Sequence, residues 1–251
     1  MKFARFQSGG KTLYGVLEGQ TIVRELTDAP WRTHKRTDRV HKLADAKLVS
    51  PCDPGKIIAI GLNYKSHLGT RQPPKVPEPF FKTPSCVIGP GEAIVLPREA
   101  TKVQEEAELA VVIGKRCKGA TKENALGFIL GYTCANDVSE RNWQKNDLQW
   151  WRAKSSDTFG VIGPYIATDL NPGNLNLAAR INGRVVQEGN TNDLLHDVPT
   201  IIEFISRVMT LEPGDVIMTG TPGVPEDIKA GDTVEVEVEG VGVLSNTVKA
   251  E

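Results

Sequence analysis

The feature that most constrains the fold of this chain is an apolar segment that begins among acidic side chains. Residues 105–114 read Glu-Glu-Ala-Glu-Leu-Ala-Val-Val-Ile-Gly, which predicts a buried strand over the apolar part. Side chains of a strand alternate between its two faces. One face therefore carries Ala107, Leu109, Val111 and Ile113, and the other carries Glu106 and Glu108. Two carboxylates about 6 Å apart in a partly buried site repel each other by roughly 2–3 kcal/mol at an effective dielectric constant near 20. Such a pair is stable when it is solvated, when one carboxyl is protonated, or when a cation lies between the two.

A third carboxylate follows a second apolar segment. Residues 128–135 predict another strand, and Asp137 comes just after it. An aspartate in this position is often only a turn residue, and a pair of glutamates is often only a solvated strand end. As a partner of Glu106 and Glu108, however, Asp137 would complete a site made of oxygen ligands. Such a site suits a hard cation such as Mg²⁺, whereas zinc is disfavoured because no histidine or cysteine accompanies the acids.

Most of the remaining chain has the pattern of short strands. The valines of residues 234–238 alternate with glutamates, which is typical of a half-buried strand, and Asn182-Gly183 predicts a hairpin turn. Two helices are predicted, over residues 121–130 and 199–209, and Asp197 is the expected N-cap of the second. Many strands, few helices and no alternation of strand and helix indicate an α+β, strand-dominated fold.

The first part of the chain differs from the rest. Residues 12–26 predict a hairpin, and residues 32–42 form a basic, polar stretch. Proline, glycine and small polar residues at positions 50–55 mark a strong interruption. We therefore expect a small N-terminal domain over residues 1–50 and a larger, metal-binding catalytic domain over residues 51–251.

Composition and charge exclude several classes of protein. The formal net charge is −1, without a long run of one sign, so binding to the phosphate backbone of nucleic acid is not expected. No segment approaches the ~20 apolar residues of a membrane span, and the N-terminus lacks the apolar stretch of a secretory signal. The four cysteines, at positions 52, 86, 117 and 134, form no closely spaced pair. We expect a soluble, cytoplasmic protein that contains reduced thiols and has a small-molecule substrate.

A few further residues could take part in chemistry. His67 follows the predicted buried strand of residues 56–61 and precedes a proline-rich surface loop or lid, so it is either a general base or an ordinary loop histidine. Residues 152–160 mix cationic and hydroxyl side chains and are either an anion clamp or a solvated loop. The small residues Thr219-Gly220-Thr221-Pro222 would let the backbone approach a ligand, or they form a plain turn.

Taken in order, these motifs resemble the fumarylacetoacetate hydrolase family over residues 56–248. The matching segments are Gly61-Leu62-Asn63-Tyr64 with His67, Phe80-Phe81-Lys82, residues 106–114, residues 131–139, residues 154–159, Asn182-Gly183, and Thr219-Gly220-Thr221-Pro222. The resemblance implies a mixed β-roll with a small N-terminal domain, a homodimer, and Mg²⁺ or Mn²⁺ as the cofactor. The roles that it implies are metal ligation by Glu106, Glu108 and Asp137, general base catalysis by His67, contact with a substrate carboxylate or enolate by Arg141 and Lys154, and substrate binding at Gly220 and Thr221.

The chain departs from the family pattern at one position. Many members have a glutamate three residues after the histidine, where the two side chains activate water, but this chain has Thr70. Either Glu78 takes that part, or the acid is absent and hydrolysis is weakened. The leading hypothesis is a Mg²⁺-dependent hydrolase that cleaves a C–C bond in acylpyruvate-type 2-oxo acids. The alternatives are a decarboxylase or isomerase of 2-oxo dioates of aromatic catabolism or of oxaloacetate, and a non-catalytic metabolite-binding protein.

Overall fold

The computed structural model describes all residues from 1 to 251. The strands of the N-terminal part are β1 (Lys2–Ser8), β2 (Lys11–Glu18), β3 (Ile22–Leu26), β4 (Arg36–Lys42) and β5 (Lys47–Leu48). The strands of the larger part are β6 (Ile57–Gly61), β7 (Glu78–Lys82), β8 (Val87–Ile88), β9 (Ile94–Leu96), β10 (Val103–Gln104), β11 (Ala107–Ile113), β12 (Ile129–Asp137), β13 (Ser139–Glu140), β14 (Gly160–Ala167), β15 (Asn176–Ile181), β16 (Arg184–Asn190), β17 (Val216–Met218), β18 (Thr233–Val238) and β19 (Gly242–Ala250).

The helices are few and short. The α-helices are α1 (Arg141–Asn146), α2 (Trp151–Ser155) and α3 (Val198–Val208). Single turns of 3-10 helix occupy Leu43–Asp45, Lys65–His67, Pro84–Cys86, Ala125–Phe128 and Thr191–Asp193. None of the helices has the length and apolarity needed to cross a membrane.

Two mixed sheets form the body of the molecule. The larger sheet has the strand order β4-β3-β2-β1-β14-β12-β11-β17-β6-β7, with β5 beside β1 and β8 beside β14. The smaller sheet has the order β16-β15-β18-β19-β9, and β10 pairs with β13 separately. Most neighbours are antiparallel, but β17 and β6, β14 and β8, and β19 and β9 are parallel pairs. The expected α+β, strand-dominated fold with a small N-terminal domain is confirmed.

The main core lies between the two sheets. Strand β11 is central to the larger sheet and contacts β18, and its residues Leu109, Val111 and Ile113 belong to a cluster of 35 buried residues that also contains the valines of β18 and the apolar residues of α3. The alternate residues Ala110 and Val112 face a second cluster on the other side of the sheet. Because both faces of β11 are buried, the strand is apolar over almost its whole length.

Several local predictions are confirmed. Strands β2 and β3 form the hairpin predicted over residues 12–26, and Asn182-Gly183 turns β15 into β16. Helix α3 covers the second predicted helix, and the Asp197 carboxylate accepts a hydrogen bond from the Thr200 amide at 2.9 Å, as an N-cap does.

One local prediction is wrong, and two strands were not predicted. Of residues 121–130, only Ala125–Phe128 form a single 3-10 turn, and Ile129 already begins β12. The segment is too short for a stable helix of its own, and pairing with β11 draws its end into the sheet. The basic stretch also contains the exposed edge strand β4, which strand patterns missed because charged side chains protect sheet edges. The proline-rich loop spans only residues 68–77, since β7 begins at Glu78.

Candidate active site

The three carboxylates named from the sequence meet at one end of the β11–β12 pair. Glu106 directly precedes β11, Glu108 lies within it, and Asp137 is the last residue of β12. The Asp137 amide donates to the Glu106 carbonyl at 3.0 Å, which brings the two strand ends together. One oxygen of each carboxylate lies within 4.8 Å of the others, and all three side chains are buried. The structure therefore brings together the residues predicted to bind a metal.

Three buried or half-buried cations surround the carboxylates. Lys154 of α2 donates through Nζ to Glu106 Oε2 at 2.6 Å and to Asp137 Oδ2 at 2.7 Å. Lys82 of β7 donates to Asp137 Oδ1 at 2.6 Å and also to the backbone carbonyl of Lys154. Arg141 of α1 donates through Nη2 to Glu106 Oε1 at 2.7 Å. The sequence assigned no role to Lys82. The only feature that could have indicated one is the Phe80-Phe81-Lys82 segment, which matches the family pattern.

Glu108 differs from the other two carboxylates because no cation contacts it. Its Oε2 atom accepts a hydrogen bond from the Gly220 amide at 2.6 Å. Burial, with the nearby negative charges of Asp137 and Glu106, raises the pKa of Glu108 well above its usual range. Burial also acts to raise the pKa of Glu106, but the charges of Lys154 and Arg141 outweigh it and hold that pKa well below its usual range. The site thus has one carboxylate that lacks a positive partner.

This donor set fits a divalent metal ion. All three ligand groups are carboxylates, which hard cations prefer, and Glu106 Oε1 and both Asp137 oxygens each accept one hydrogen bond and keep a lone pair for coordination. Glu108 Oε1 accepts no hydrogen bond, and a cation beside it would supply the missing positive partner. Glu106, Glu108 and Asp137 are therefore the residues that could hold Mg²⁺ or Mn²⁺.

His67 lies beside the carboxylates with a defined orientation. Its Nδ1 atom is 2.7 Å from the Gly223 carbonyl oxygen, and its Nε2 atom is 3.9 Å from Glu106 Oε1. A carbonyl only accepts hydrogen bonds, so Nδ1 carries a proton, and in the neutral ring Nε2 is the free base. Thr70 and Glu78 are exposed and form no hydrogen bond or ion pair with His67. The partner of His67 is thus a backbone carbonyl rather than the glutamate that the family pattern would place beside it.

These groups open into one cavity of about 620 Å³. Its lining residues are Ile60, Gly61, Leu62, His67, Arg71, Phe80, Gln104, Glu106, Glu108, Asp137, Arg141, Gln144, Lys145, Trp150, Lys154, Thr221 and Pro225. Every residue predicted for the site lines it except Gly220, which lies behind Glu108. The polar residues that sequence reasoning missed are Arg71, Gln104, Gln144 and Lys145, because nothing in their local sequence distinguishes them from surface residues.

Thr221 lines the cavity, but its hydroxyl is already engaged. Thr221 Oγ1 donates to the Ala107 carbonyl at 2.8 Å and accepts from Gln187 Nε2 at 3.0 Å. Gln187 Oε1 in turn accepts from the Ala107 amide at 2.9 Å. The proton of the hydroxyl is therefore used inside the protein, and Thr221 can offer a substrate an acceptor lone pair but no donor.

Comparison with known proteins identifies the family. The sequence model described as fumarylacetoacetate (FAA) hydrolase C-terminal matches residues 56–249, and the one described as Rv2993c-like, N-terminal, matches residues 1–51. The chain belongs to the fumarylacetoacetate hydrolase family. The resemblance read from the motifs is thereby confirmed.

Relatives in this family are enzymes of several kinds. The chain is 42% identical to oxaloacetate tautomerase fahd2, mitochondrial, of Xenopus laevis, over 82% of this chain and 69% of that protein. It is 42% identical to 5-carboxymethyl-2-hydroxymuconate delta-isomerase of Mycobacterium smegmatis, whose crystal structure matches with a TM-score of 0.95 over 100% of both chains. Maleylpyruvate hydrolase of Sphingobium sp. SYK-6, solved with manganese(II) ion and pyruvate, is 29% identical, with a TM-score of 0.82 over 100% of this chain and 99% of that one. The chain is a fumarylacetoacetate hydrolase family enzyme.

Proposed function

We propose that this enzyme transfers a proton between carbon and oxygen in a 2-oxo acid, as a tautomerase or isomerase does. The observation that supports this most directly is the arrangement of His67. Its Nε2 atom faces the carboxylate cluster, and its Nδ1 atom is held by the neutral Gly223 carbonyl. A histidine held in this way can take up and return a proton at Nε2. No carboxylate partners its Nδ1 atom to help it activate water.

The cofactor in this proposal is Mg²⁺ or Mn²⁺, held by Glu106, Glu108 and Asp137. When bound, it would polarise the 2-oxo group as a Lewis acid. The donor set of three carboxylates supports either ion.

The cationic side chains have donors left for the substrate. Lys154 uses two of its three N–H groups on Glu106 and Asp137, and Arg141 uses three of its five on Gln104, Gln144 and Glu106. The remaining N–H groups can bind the carboxylate of a 2-oxo acid and stabilise negative charge that develops on its enolate oxygen. His67 then moves the proton at the adjacent carbon.

Hydrolysis of a C–C bond in an acylpyruvate-type acid is the second candidate. It is supported by the structural similarity to maleylpyruvate hydrolase. It is less well supported by the site, because neither Thr70 nor Glu78 provides a partner for His67. Decarboxylation of oxaloacetate would use the same groups, and a non-catalytic binding protein would keep the cavity without turnover.

One set of assays separates these functions. Purified protein is given Mg²⁺, Mn²⁺ or excess chelator, and three reactions are followed: enol–keto conversion of oxaloacetate, release of pyruvate from oxaloacetate, and cleavage of acetylpyruvate. We expect metal-dependent enol–keto conversion that exceeds both other rates by about tenfold or more. Faster cleavage of acetylpyruvate would favour the hydrolase. Metal-dependent binding of oxalate without any turnover would favour the binding protein.

A further inference from the structure

We propose that Gln187 is a positioning residue that holds Glu106 and Glu108 at the spacing a small divalent cation needs, so that the site favours Mg²⁺ or Mn²⁺ over the larger Ca²⁺. The inference rests on the metal site of the proposed function and is independent of the reaction. Gln187 does not line the cavity, so it acts through the backbone that carries the ligands rather than by contact with metal or substrate.

Gln187 is buried although the strand that carries it is mostly exposed. Its side chain is the only buried one among the seven residues of β16, and 3% of its surface is exposed. A buried amide costs free energy unless its hydrogen-bonding groups are paired. Here Nε2 donates to Thr221 Oγ1 at 3.0 Å and to the Pro222 carbonyl at 2.6 Å, and Oε1 accepts from the Ala107 amide at 2.9 Å. The amide therefore joins the smaller sheet to two segments of the site.

The contact at Ala107 falls between two of the predicted metal ligands. Ala107 separates Glu106 from Glu108, and the paired part of β17 does not extend to this end of β11. Both polar groups of the Ala107 backbone instead bond to side chains, the amide to Gln187 and the carbonyl to the Thr221 hydroxyl at 2.8 Å. Because the regular ladder stops short of the ligands, Gln187 takes the place of a neighbouring strand and fixes the backbone between them.

The contact with Pro222 holds a second segment, which also positions Glu108. Gly220, two residues earlier, donates to Glu108 Oε2 at 2.6 Å. Strand β16 packs directly on this segment, since a Cβ at Gly189 would lie 2.6 Å from the Pro222 Cβ atom. Gly189 and Gln187 are two residues apart, so they lie on the same face of β16. Glu108 is thus held both through the residue before it and through the segment that binds its carboxylate.

The fixed position of these two segments bears on which ion the site accepts. Mg²⁺ needs near-ideal octahedral geometry with oxygens at about 2.0–2.1 Å, whereas Ca²⁺ accepts irregular coordination at about 2.3–2.6 Å. Loosely held ligands therefore weaken Mg²⁺ binding more than Ca²⁺ binding. Because Gln187 lies outside the cavity, a change in this discrimination measures how well the ligands are positioned.

Calorimetric titration with Mg²⁺ and with Ca²⁺ tests the inference. In Gln187→Met, whose side chain has a similar length but no amide, Mg²⁺ affinity should fall by about tenfold or more, and Ca²⁺ affinity by less than about threefold. Gln187→Glu should lose less Mg²⁺ affinity than Gln187→Met, because one oxygen of the acid still accepts from the Ala107 amide. Gln7→Met, at an exposed position of β1, is the control and should keep both affinities. Thermal unfolding in chelator establishes that each variant folds.

The outcomes separate this inference from the proposed function. A purely structural role of Gln187 would lower Tm in Gln187→Met and leave the ratio of Mg²⁺ to Ca²⁺ affinity at its wild-type value, which would overturn the inference alone. Should Gln187→Met fail to fold, the same ratio in Gln187→Glu decides, and an unchanged ratio overturns the inference. The expected change in ratio without turnover of any 2-oxo acid would support the inference and contradict the proposed reaction. Wild-type protein that binds neither Mg²⁺ nor Mn²⁺ would contradict the metal site, and the inference with it.

Discussion

The Nδ1 atom of His67 lies 2.7 Å from the carbonyl oxygen of Gly223, two residues after Thr221 of the cavity wall. This contact fixes which ring nitrogen faces the carboxylate cluster. It also takes the position at which a carboxylate would otherwise orient the ring. This arrangement supports the proposed exchange of one proton between His67 and the substrate.

Replacement of His67 by asparagine should remove proton transfer and keep the binding site. We expect kcat for enol–keto conversion to fall by about 10²–10⁴-fold, the usual contribution of a general acid or base. Affinities for Mg²⁺ and for oxalate should change by less than about threefold, because His67 Nε2 is 3.9 Å from Glu106 and is not a predicted ligand. His34→Gln, in the N-terminal part, is the control. A His67→Asn enzyme with wild-type kcat would contradict the assigned role.

Replacement of Lys82 by methionine should destabilise the protein. The Lys82 side chain is fully buried, and its Nζ binds Asp137 and two backbone carbonyls. Removing one partner of a buried ion pair costs about 3–5 kcal/mol, and for a chain of this size that lowers Tm by roughly 6–20 °C. Thermal unfolding in chelator measures the change, with the exposed Lys115→Met as control. An unchanged Tm would show that the buried pair does not stabilise the fold.

Glu140 should make stability depend on pH in acid. Its buried carboxylate accepts hydrogen bonds from the amides of Thr101, Lys102 and Trp143. Burial acts to raise the pKa of Glu140, but these hydrogen bonds outweigh it and lower the pKa below its usual value. Glu140 therefore stabilises the folded protein fully at pH values above the pKa that this carboxyl has in the unfolded chain. That contribution is lost as the pH falls through the lower pKa that the carboxyl has in the folded protein.

Urea unfolding of the wild-type protein and of Glu140→Gln between pH 7 and about pH 2.5 tests this expectation. At pH 7 the variant should be less stable by about 2 kcal/mol, because it loses a helix cap and leaves buried donors unpaired. The difference in unfolding free energy between the two proteins should narrow once the pH falls below about 4.3, the usual pKa of a glutamate. A difference that stays constant or widens in acid would contradict the lowered pKa.

Gly220 should be needed for the position of Glu108. Its φ is +106°, and a Cβ there would lie 2.8 Å from the Asn63 Cβ atom, so alanine is strained on both counts. Because the Gly220 amide donates to Glu108 Oε2, a shift of this backbone should weaken Mg²⁺ binding as well as stability. We expect Gly220→Ala to lower Mg²⁺ affinity by about tenfold. Gly127→Ala, where a Cβ meets nothing within 4 Å, is the control and should leave the affinity unchanged.

The sequence predicts the carboxylate cluster because strand geometry is local. Alternation along β11 places Glu106 and Glu108 on one side, and the antiparallel partner β12 ends at Asp137. Helix α3 was likewise predictable, because Asp197, Pro199 and an apolar face at helical spacing all agree.

The parts of the site that could not be predicted depend on contacts between distant segments. Lys82 and Asp137 are 55 residues apart, and only the assembled sheet shows that the lysine is buried against the aspartate. The partner of His67 is a backbone carbonyl 156 residues away. Every residue has a backbone carbonyl, so the sequence does not show which one contacts the histidine. Residues 121–130 were misassigned because pairing with β11 overrides a weak helical pattern.

The affinity of the protein for Mg²⁺ after Glu108→Gln tests the central claim most directly. Glu108 contacts no cation in the protein, so this change removes one ligand and leaves the ion pairs of Lys82, Lys154 and Arg141 intact. Glu105→Gln is the matched control. Burial raises the pKa of Glu105 to about 8, and glutamine resembles its protonated form. Calorimetry should show at least about a hundredfold weaker Mg²⁺ binding for Glu108→Gln and wild-type binding for Glu105→Gln. Wild-type Mg²⁺ affinity in Glu108→Gln would contradict the three-carboxylate metal site.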